Sequence, residues 1–342
     1  MTDTGGALLE SGRPPSALGA GEPLARARRL LREHARTLTA WLAAIVLPVL
    51  FTSLDGNYLS SGNLQSIGRQ AAVLLLIALA GTAPILMGSI DLSVGALVSL
   101  TSVIAAWGAE RFGQGAVFLA LPCGLAAGIL NGLIVAYLRL PSFLTTLASS
   151  FAFAGVALAI SGGFPITLQA TATTQAHVLD GNLSSALPVS VLWAVGIWLV
   201  TIGLLRRTVF GRVVYAIGGN ERAAQTVGVW VNRAKVGAFA LSGLLCGFAG
   251  IIVLYETTAA TADVGSTYLL TSIAAVVIGG TPLSGGEGGA GRCLIGTLVL
   301  TELVNGMLLL GLGASTQQIV EGAVVIAAAM LTLDRRRIGI VK

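Results

Sequence analysis

Polar residues in this chain fall in short clusters, and between the clusters run apolar stretches of about 20 residues that are nearly free of charge. At 1.5 Å rise per residue, such a stretch makes a helix long enough to cross a hydrocarbon layer of about 30 Å. Ten are predicted, at 38–54, 67–88, 92–108, 115–138, 143–161, 188–205, 235–255, 269–282, 293–311 and 317–333. The eighth is the shortest and its ends are the least defined. The predicted fold class is all-α: a polytopic integral membrane protein of about ten transmembrane helices, with both termini cytoplasmic. Residues 1–37 read as a basic, flexible tail and 38–342 as one transmembrane domain.

Composition supports the membrane reading. The 342 residues are 55% hydrophobic and 10% charged, with a mean hydropathy of +0.87, more apolar surface than a soluble core of this length hides. No small-residue cleavage site follows the first stretch, so it is expected to be retained as a span. Basic residues set the direction. With the amino terminus inside, every Lys and Arg of the 20 except Arg69 and Arg111 falls on the inside, and the longest outside loop, 162–187, has none. This is what the positive-inside rule asks for. The net charge of +5 is thereby a topology and lipid-surface signal, with no call for a nucleic-acid partner. Arg69, at the outer end of the second span, is expected to snorkel to the headgroups or to pair with an acid such as Asp55. Trp41 and Trp107 fall near span ends, as an aromatic belt does.

The 45 glycines are about twice the usual share of roughly 7%. Gly124, Gly128 and Gly132 lie four apart in one stretch, and Gly243 and Gly247 repeat the spacing in another. Such stripes let helix backbones approach closely in a compact bundle. Cys123, Cys246, Cys293, His34 and His177 are scattered, with no metal-ligand spacing, so no metal or disulfide is expected. Nothing resembles a Ser-His-Asp set or an HExxH motif, and an enzyme is not expected.

The longest inside loop, 206–235, reads "RRTVFGRVVYAIGGNERAAQTVGVWVNRAK". Gly218 and Gly219 break the chain and Asn220 is a good N-cap. Glu221 sits where the helix dipole favours an acid, and Gly228 can end the helix in the left-handed region. A short helix of about two turns is predicted, on which Ala223 and Ala224 leave room for another protein. Either it lies on the headgroups or a cytoplasmic motor pushes on it.

Four segments carry a family resemblance. "IDLSVGA" (90–96), "NGLIVAYLRLPSFLTTLAS" (131–149), "RTVFGRVVYAIGGNERAAQTVGV" (207–229) and "SIAAVVIGGTPLSGGEGGAGRCLIGTLV" (272–299) together resemble the permease subunit of bacterial ABC importers of the ribose, xylose, arabinose and galactose type. The similarity runs in order from about residue 40 to 337, with Ser89 and Pro282 departing from the usual pattern. The resemblance implies a permease in the bacterial inner membrane that binds no cofactor and leaves ATP to a partner ATPase subunit. It implies pairing with a second permease, identical or paralogous, and delivery of sugar by an extracytoplasmic binding protein. ATPase contact would be through the loop carrying Gly218, Gly219, Asn220, Glu221, Ala223, Ala224 and Gly228. Consistently, the chain has no G-x-x-x-x-G-K-[ST] phosphate loop. Rival readings are a permease of the same superfamily for a polyol, a signalling sugar or a branched-chain amino acid, and an ion-coupled secondary transporter, which needs ionisable groups at mid-membrane.

Asp91 poses the sharpest local question, because a lone charge at the bilayer centre costs roughly 2.5–3.5 kcal/mol on insertion scales. One expectation puts it at the cytoplasmic end of the third span, capping a helix that begins at Leu92. The other takes the turn into the bundle, with Asp91 and Ser93 lining the lower end of a path. An internal echo bears on this. "ILMGSIDLSVG" (85–95) aligns with "VVIGGTPLSGG" (276–286), matching Gly88 with Gly279, Leu92 with Leu283 and Ser93 with Ser284. Glycine or proline breaks at corresponding places in two halves point to the moving parts of a transporter. The path and hinge candidates are therefore Gly88, Asp91, Ser93, Gly95, Gly279, Gly280 and Ser284. Glu302, Asn305, Gln317, Gln318 and Glu321 are expected to act as interhelical glue or to face a wet cavity.

Overall fold

The computed structural model describes residues 40–168, 181–184 and 187–332. The basic tail with His34, the part of the long loop holding His177, and the last basic cluster lie outside the described residues. Among the described residues 77% are helical and almost none form strand. In chain order the helices are α1 (Ala40–Leu54), α2 (Ser61–Leu86), α3 (Val94–Phe112), α4 (Ala120–Tyr137, entered by a 3-10 turn at Gln114–Leu119), α5 (Ser142–Ser161) and α6 (Val189–Arg207). They continue with α7 (Val209–Gly219), α8 (Glu221–Thr226), α9 (Val231–Thr257), α10 (Tyr268–Ile278), α11 (Ala290–Leu309) and α12 (Ala314–Thr332). Among the described residues, six helical segments are long and apolar enough to cross a membrane. Two-residue strands β1 (Ile166–Thr167) and β2 (Ala259–Ala260) pair antiparallel, Ile166 opposite Ala260.

The centre of the bundle is α2. From Ala72 to Leu86 every residue is buried, as expected of a helix that is apolar all round and surrounded by others. It begins six residues earlier than the apolar run suggests because Ser60 caps it, its side chain accepting from the Asn63 N–H at 3.3 Å. Beside it, α4 and α9 interlock through the two glycine stripes. A side chain on Gly124 would run into the Gly243 carbonyl, one on Gly128 into the Phe239 carbonyl, and one on Gly243 into the Gly124 carbonyl. The stripes thus serve contact between two helices of one chain.

One expected span is cut short and another is shifted along the chain. The stretch 269–282 yields only the 11 residues of α10, since the chain turns left-handed at Gly280 (φ 88°) and runs on as a loop to Gly289. The third span starts at Val94 rather than Leu92.

Candidate functional site

Two turns at one end of the bundle are built alike. After α2, Gly88 takes φ 73°, its N–H donates to the Ile85 carbonyl (2.8 Å), and the Ser89 N–H reaches back to the Pro84 carbonyl (3.0 Å). After α10, Gly280 takes φ 88°, its N–H donates to Val277 (2.8 Å), and the Thr281 N–H reaches back to Val276 (3.1 Å). Both are left-handed glycine helix ends with a six-to-one hydrogen bond. The structural partner of Gly88 is therefore Gly280. Gly279, paired with Gly88 in the sequence echo, is one residue early: it has φ −62° and lies against the Arg292 carbonyl. The turns also meet each other. The Gly286 N–H donates to the Leu86 carbonyl at 2.9 Å, and the Ser284 carbonyl faces Gly88.

Past Gly88 the chain turns inward, and Asp91 is buried. Its Oδ1 accepts from the Ser93 N–H (3.0 Å) and the Ser93 hydroxyl (2.6 Å), and its Oδ2 accepts from the Ser242 hydroxyl (2.8 Å). Asn131 donates to the Ser93 hydroxyl oxygen at 2.9 Å, while its own Oδ1 is buried with no hydrogen-bond partner. Ser242 lies 11 residues into α9 and Asn131 six residues before the end of α4, so the cluster sits about 9–16 Å inside those helix ends. The helix expected from Leu92 begins two residues later, at Val94. Ser93 holds the N-cap position of α3, and the carboxylate is enclosed by α3, α4 and α9. The turn is anchored further by the Ile90 N–H donating to the Ser142 hydroxyl (3.1 Å) and the Leu92 N–H to the Thr146 hydroxyl (2.9 Å), both on α5. Gly95, one residue into α3, lets the Gly265 carbonyl of the α9–α10 connection approach.

The loop 206–235 forms α7 and α8. Thr208 caps α7, and Asn220 caps α8 by accepting from the Ala223 N–H at 3.1 Å. Gly228 follows α8 with φ 81°. Glu221 does more than face the dipole: its Oε1 pairs with Lys235 Nζ at 2.7 Å, tying α8 to the first turns of α9. Two of the predicted contact residues point inward. Ala224 is buried, and Gly218 is wedged where a side chain would strike the Leu86 carbonyl and the Gly286 N–H. Glycine is required there because three backbones converge. Gly219 is open, and Arg222, Ala223, Gln225, Thr226 and Val227 are exposed. The Tyr215 hydroxyl on α7 donates to the Gly288 carbonyl at 2.8 Å. Burial holds that hydroxyl above its usual pKa against the pull of Arg206 and Arg292.

The structure thus gathers Gly88, Ser284 and Gly218 at one junction, leaves Gly280 at the start of the loop that reaches it, and sets Asp91 with Ser93 in a second cluster. Ser242 and Leu86 were not singled out from sequence. A serine between Phe239 and Gly243 in the glycine-striped α9 was the available signal for the first, whereas a backbone carbonyl leaves none. Arg69 hydrogen-bonds Asn182 at 3.3 Å rather than only snorkelling. No group of His, Cys, Asp and Glu able to hold a metal is found among the described residues, where all three cysteines are free.

Residues 63–329 match the family described as branched-chain amino acid transport system / permease component. Among similar proteins, the ribose import permease protein RbsC of Escherichia coli (strain K12) is 38% identical over 296 residues, covering 85% of this chain and 91% of the relative. RbsC of Bacillus subtilis (strain 168) is 37% identical over 304 residues, covering 88% and 93%. The xylose transport system permease protein XylH of Escherichia coli (strain K12) is 30% identical over 360 residues, covering 86% and 91%. No solved structure matches the chain.

Proposed function

Because the chain belongs to the family of branched-chain amino acid transport system permease components, we propose that it is the membrane subunit of an ATP-driven importer for a monosaccharide of the ribose or xylose type. It is a multi-pass inner-membrane protein, and the sugar class is supported by relatives named for ribose and xylose. On this reading residues 38–342 form one permease domain of ten spans, with both termini and the α7–α8 end in the cytoplasm, and residues 1–37 are a cytoplasmic tail. Two permease subunits, identical or paralogous, enclose a central path. An extracytoplasmic binding protein delivers sugar from outside, and a separate ATPase subunit binds and hydrolyses ATP inside.

The observation that carries the coupling is α8. It is a short helix held at both ends, with an exposed face at Ala223 and Val227. Its supporting helix α7 is keyed through Gly218 between Leu86 at the end of α2 and Gly286 in the loop after α10. A push on α8 by a closing ATPase would reach Leu86 and Gly286 by direct backbone contact. The turns at Gly88 and Gly280 are then the hinges of alternating access, and the Asp91–Ser93 cluster fixes the start of α3 against α4 and α9 as they move.

The test is a mild-detergent pull-down of the tagged chain from its native membrane, beside an Ala223→Arg, Val227→Glu double variant. Both substitutions lie on exposed positions and leave Gly218 untouched. An ATPase subunit should co-purify with the wild type and be lost with the variant. A wild type that comes alone rejects the ATP-driven model and turns attention to Glu302 and Glu321 as parts of an ion-coupled path.

A further inference from the structure

The connection between α9 and α10 does not run over the end of the bundle but dips back into it. Cys246 lies 11 residues before the end of the 27-residue α9, about 16 Å down its axis. Residues 94–101 of α3 sit at that level, because the Cys246 thiol reaches the Val94 carbonyl (3.8 Å) and the Thr101 hydroxyl donates to the Cys246 carbonyl (3.0 Å). Gly265 of the connection lies against the same stretch. Its N–H donates to the Ser99 hydroxyl oxygen at 2.9 Å, and a side chain on it would run into the Gly95 carbonyl. Between Thr257 and Gly265 the chain has therefore returned about half-way through a hydrocarbon layer of about 30 Å. The 11 residues of α10 then cover about 16 Å more. The crossing that follows α9 is thus half irregular backbone, 258–267, and half helix.

Irregular backbone at membrane depth persists only where protein buries it or water reaches it. One side of this segment is buried, at Ala260 and Gly265. The other is open, with Asp263, Ser266 and Thr267 exposed. Among the described residues no hydrogen bond or ion pair engages the Asp263 carboxylate, and the N–H groups of Ala262 and Asp263 donate to no backbone carbonyl. Asp91 is the opposite case, its two oxygens taking three donors. A bare carboxylate facing lipid at this depth is costly, so Asp263 faces water. Broken spans of this kind are where transporters handle their solutes. No Lys, Arg or His occurs from 258 to 271, so a solute carrying its own carboxylate would meet Asp263 with no cation beside it in the segment. We propose that residues 258–267 form a water-lined wall of the translocation path, where Asp263 accepts hydrogen bonds from the hydroxyl groups of a passing neutral solute. The proposal rests on the sugar-permease reading above and deepens it by naming a contact on the path.

The test uses the full chain in native membranes with its partner subunits. Ser266→Cys and, as an apolar reference, Leu199→Cys near the middle of α6, where Leu199 is 56% exposed, are labelled separately with a membrane-impermeant maleimide, and the wild-type rate is subtracted. Thr267→Cys is a second reporter should Ser266→Cys not accumulate. The thiol on the connection should react at least about tenfold faster than the one on α6, the loss of thiolate for each unit that apolar surroundings raise a thiol pKa. Import of D-ribose is measured on the wild type and on two variants of Asp263. Asp263→Ala should lower the uptake rate about tenfold or more, as loss of a hydrogen bond to a charged group does. Asp263→Asn should lower it less, since the amide oxygen still accepts. Both should reach wild-type amounts in the membrane, because the carboxylate bonds to nothing described in the chain. Wild-type membranes that import D-ribose, with Ser266→Cys and Thr267→Cys no faster than the reference, overturn the wall and leave the permease reading standing. Fast labelling without D-ribose import supports the wall and counts against the sugar importer. Wild-type uptake by Asp263→Ala overturns the solute contact.

Discussion

Both carboxylate oxygens of Asp91 are engaged, three donors from Ser93 and Ser242 converging on them in a buried cluster. Truncation leaves those donors behind, and each orphaned buried group costs roughly 1–3 kcal/mol. Asp91→Ala should therefore lose about 3 kcal/mol or more, whereas Asp91→Asn should lose much less. An amide oxygen still accepts from Ser93, and the Ser242 hydroxyl can rotate to accept from the new NH₂. Thermal unfolding of the detergent-purified protein ranks the two, and an Asn variant as unstable as the Ala variant would show that the charge itself is what the cluster holds. That Asp91 needed a special environment was legible, because one acid between apolar runs admits few placements. Which environment was not. Ser93 is a neighbour in sequence, but Asn131 and Ser242 reach it only through the crossing of α3, α4 and α9. The glycine stripes were legible as contact surfaces, though their pairing with each other emerged only from the packing.

Elements whose signals are local were the easiest to read. In α8 the cap at Asn220, the acid at Glu221 and the glycine after the end all lie within the nine residues 220–228, and they stand where expected. The inward turn of Ala224 was illegible because a six-residue helix has too few apolar positions to define a face. Likewise α10 was overextended to residue 282, since apolar content continues past Gly280 while the backbone has already turned. The cap of α8 makes an element-scale prediction. Asn220→Ala removes the acceptor for the Ala223 N–H, at a cost of about 1 kcal/mol. Unless Glu221–Lys235 alone holds the helix, amides of residues 223–227 should exchange hydrogen about fivefold faster in the membrane-embedded protein. Exchange unchanged from wild type would mean that the contact with α9 and the burial of Ala224 hold α8 without its cap.

Across the whole molecule, one chain of contacts joins the proposed ATPase surface to the end of α2 and to the loop after α10: α8 to α7, Gly218 to Leu86 and Gly286, and Tyr215 to Gly288. The sequence echo pointed to two related breaks but matched the wrong glycines, because identity at Gly279 competed with the hydrogen-bond register that pairs Gly88 with Gly280. The similarity lies in the backbone motif, which residue matching registers only indirectly. If motion passes through this junction, weakening it should separate ATP hydrolysis from transport while the bundle stays folded. Tyr215→Phe is the smallest such change, removing one hydroxyl that bonds α7 to the loop after α10 and no ring contact. A single neutral hydrogen bond is worth about 1 kcal/mol, so the native fold should survive. In proteoliposomes with the partner subunits, solute moved per ATP hydrolysed should fall about two- to fivefold, the range expected when roughly 1 kcal/mol of coupling is lost. A ratio equal to wild type would remove Tyr215 from the transmission route and leave Gly218 as its candidate joint. A loss of ATPase binding instead would place the defect in α8 and its docking surface.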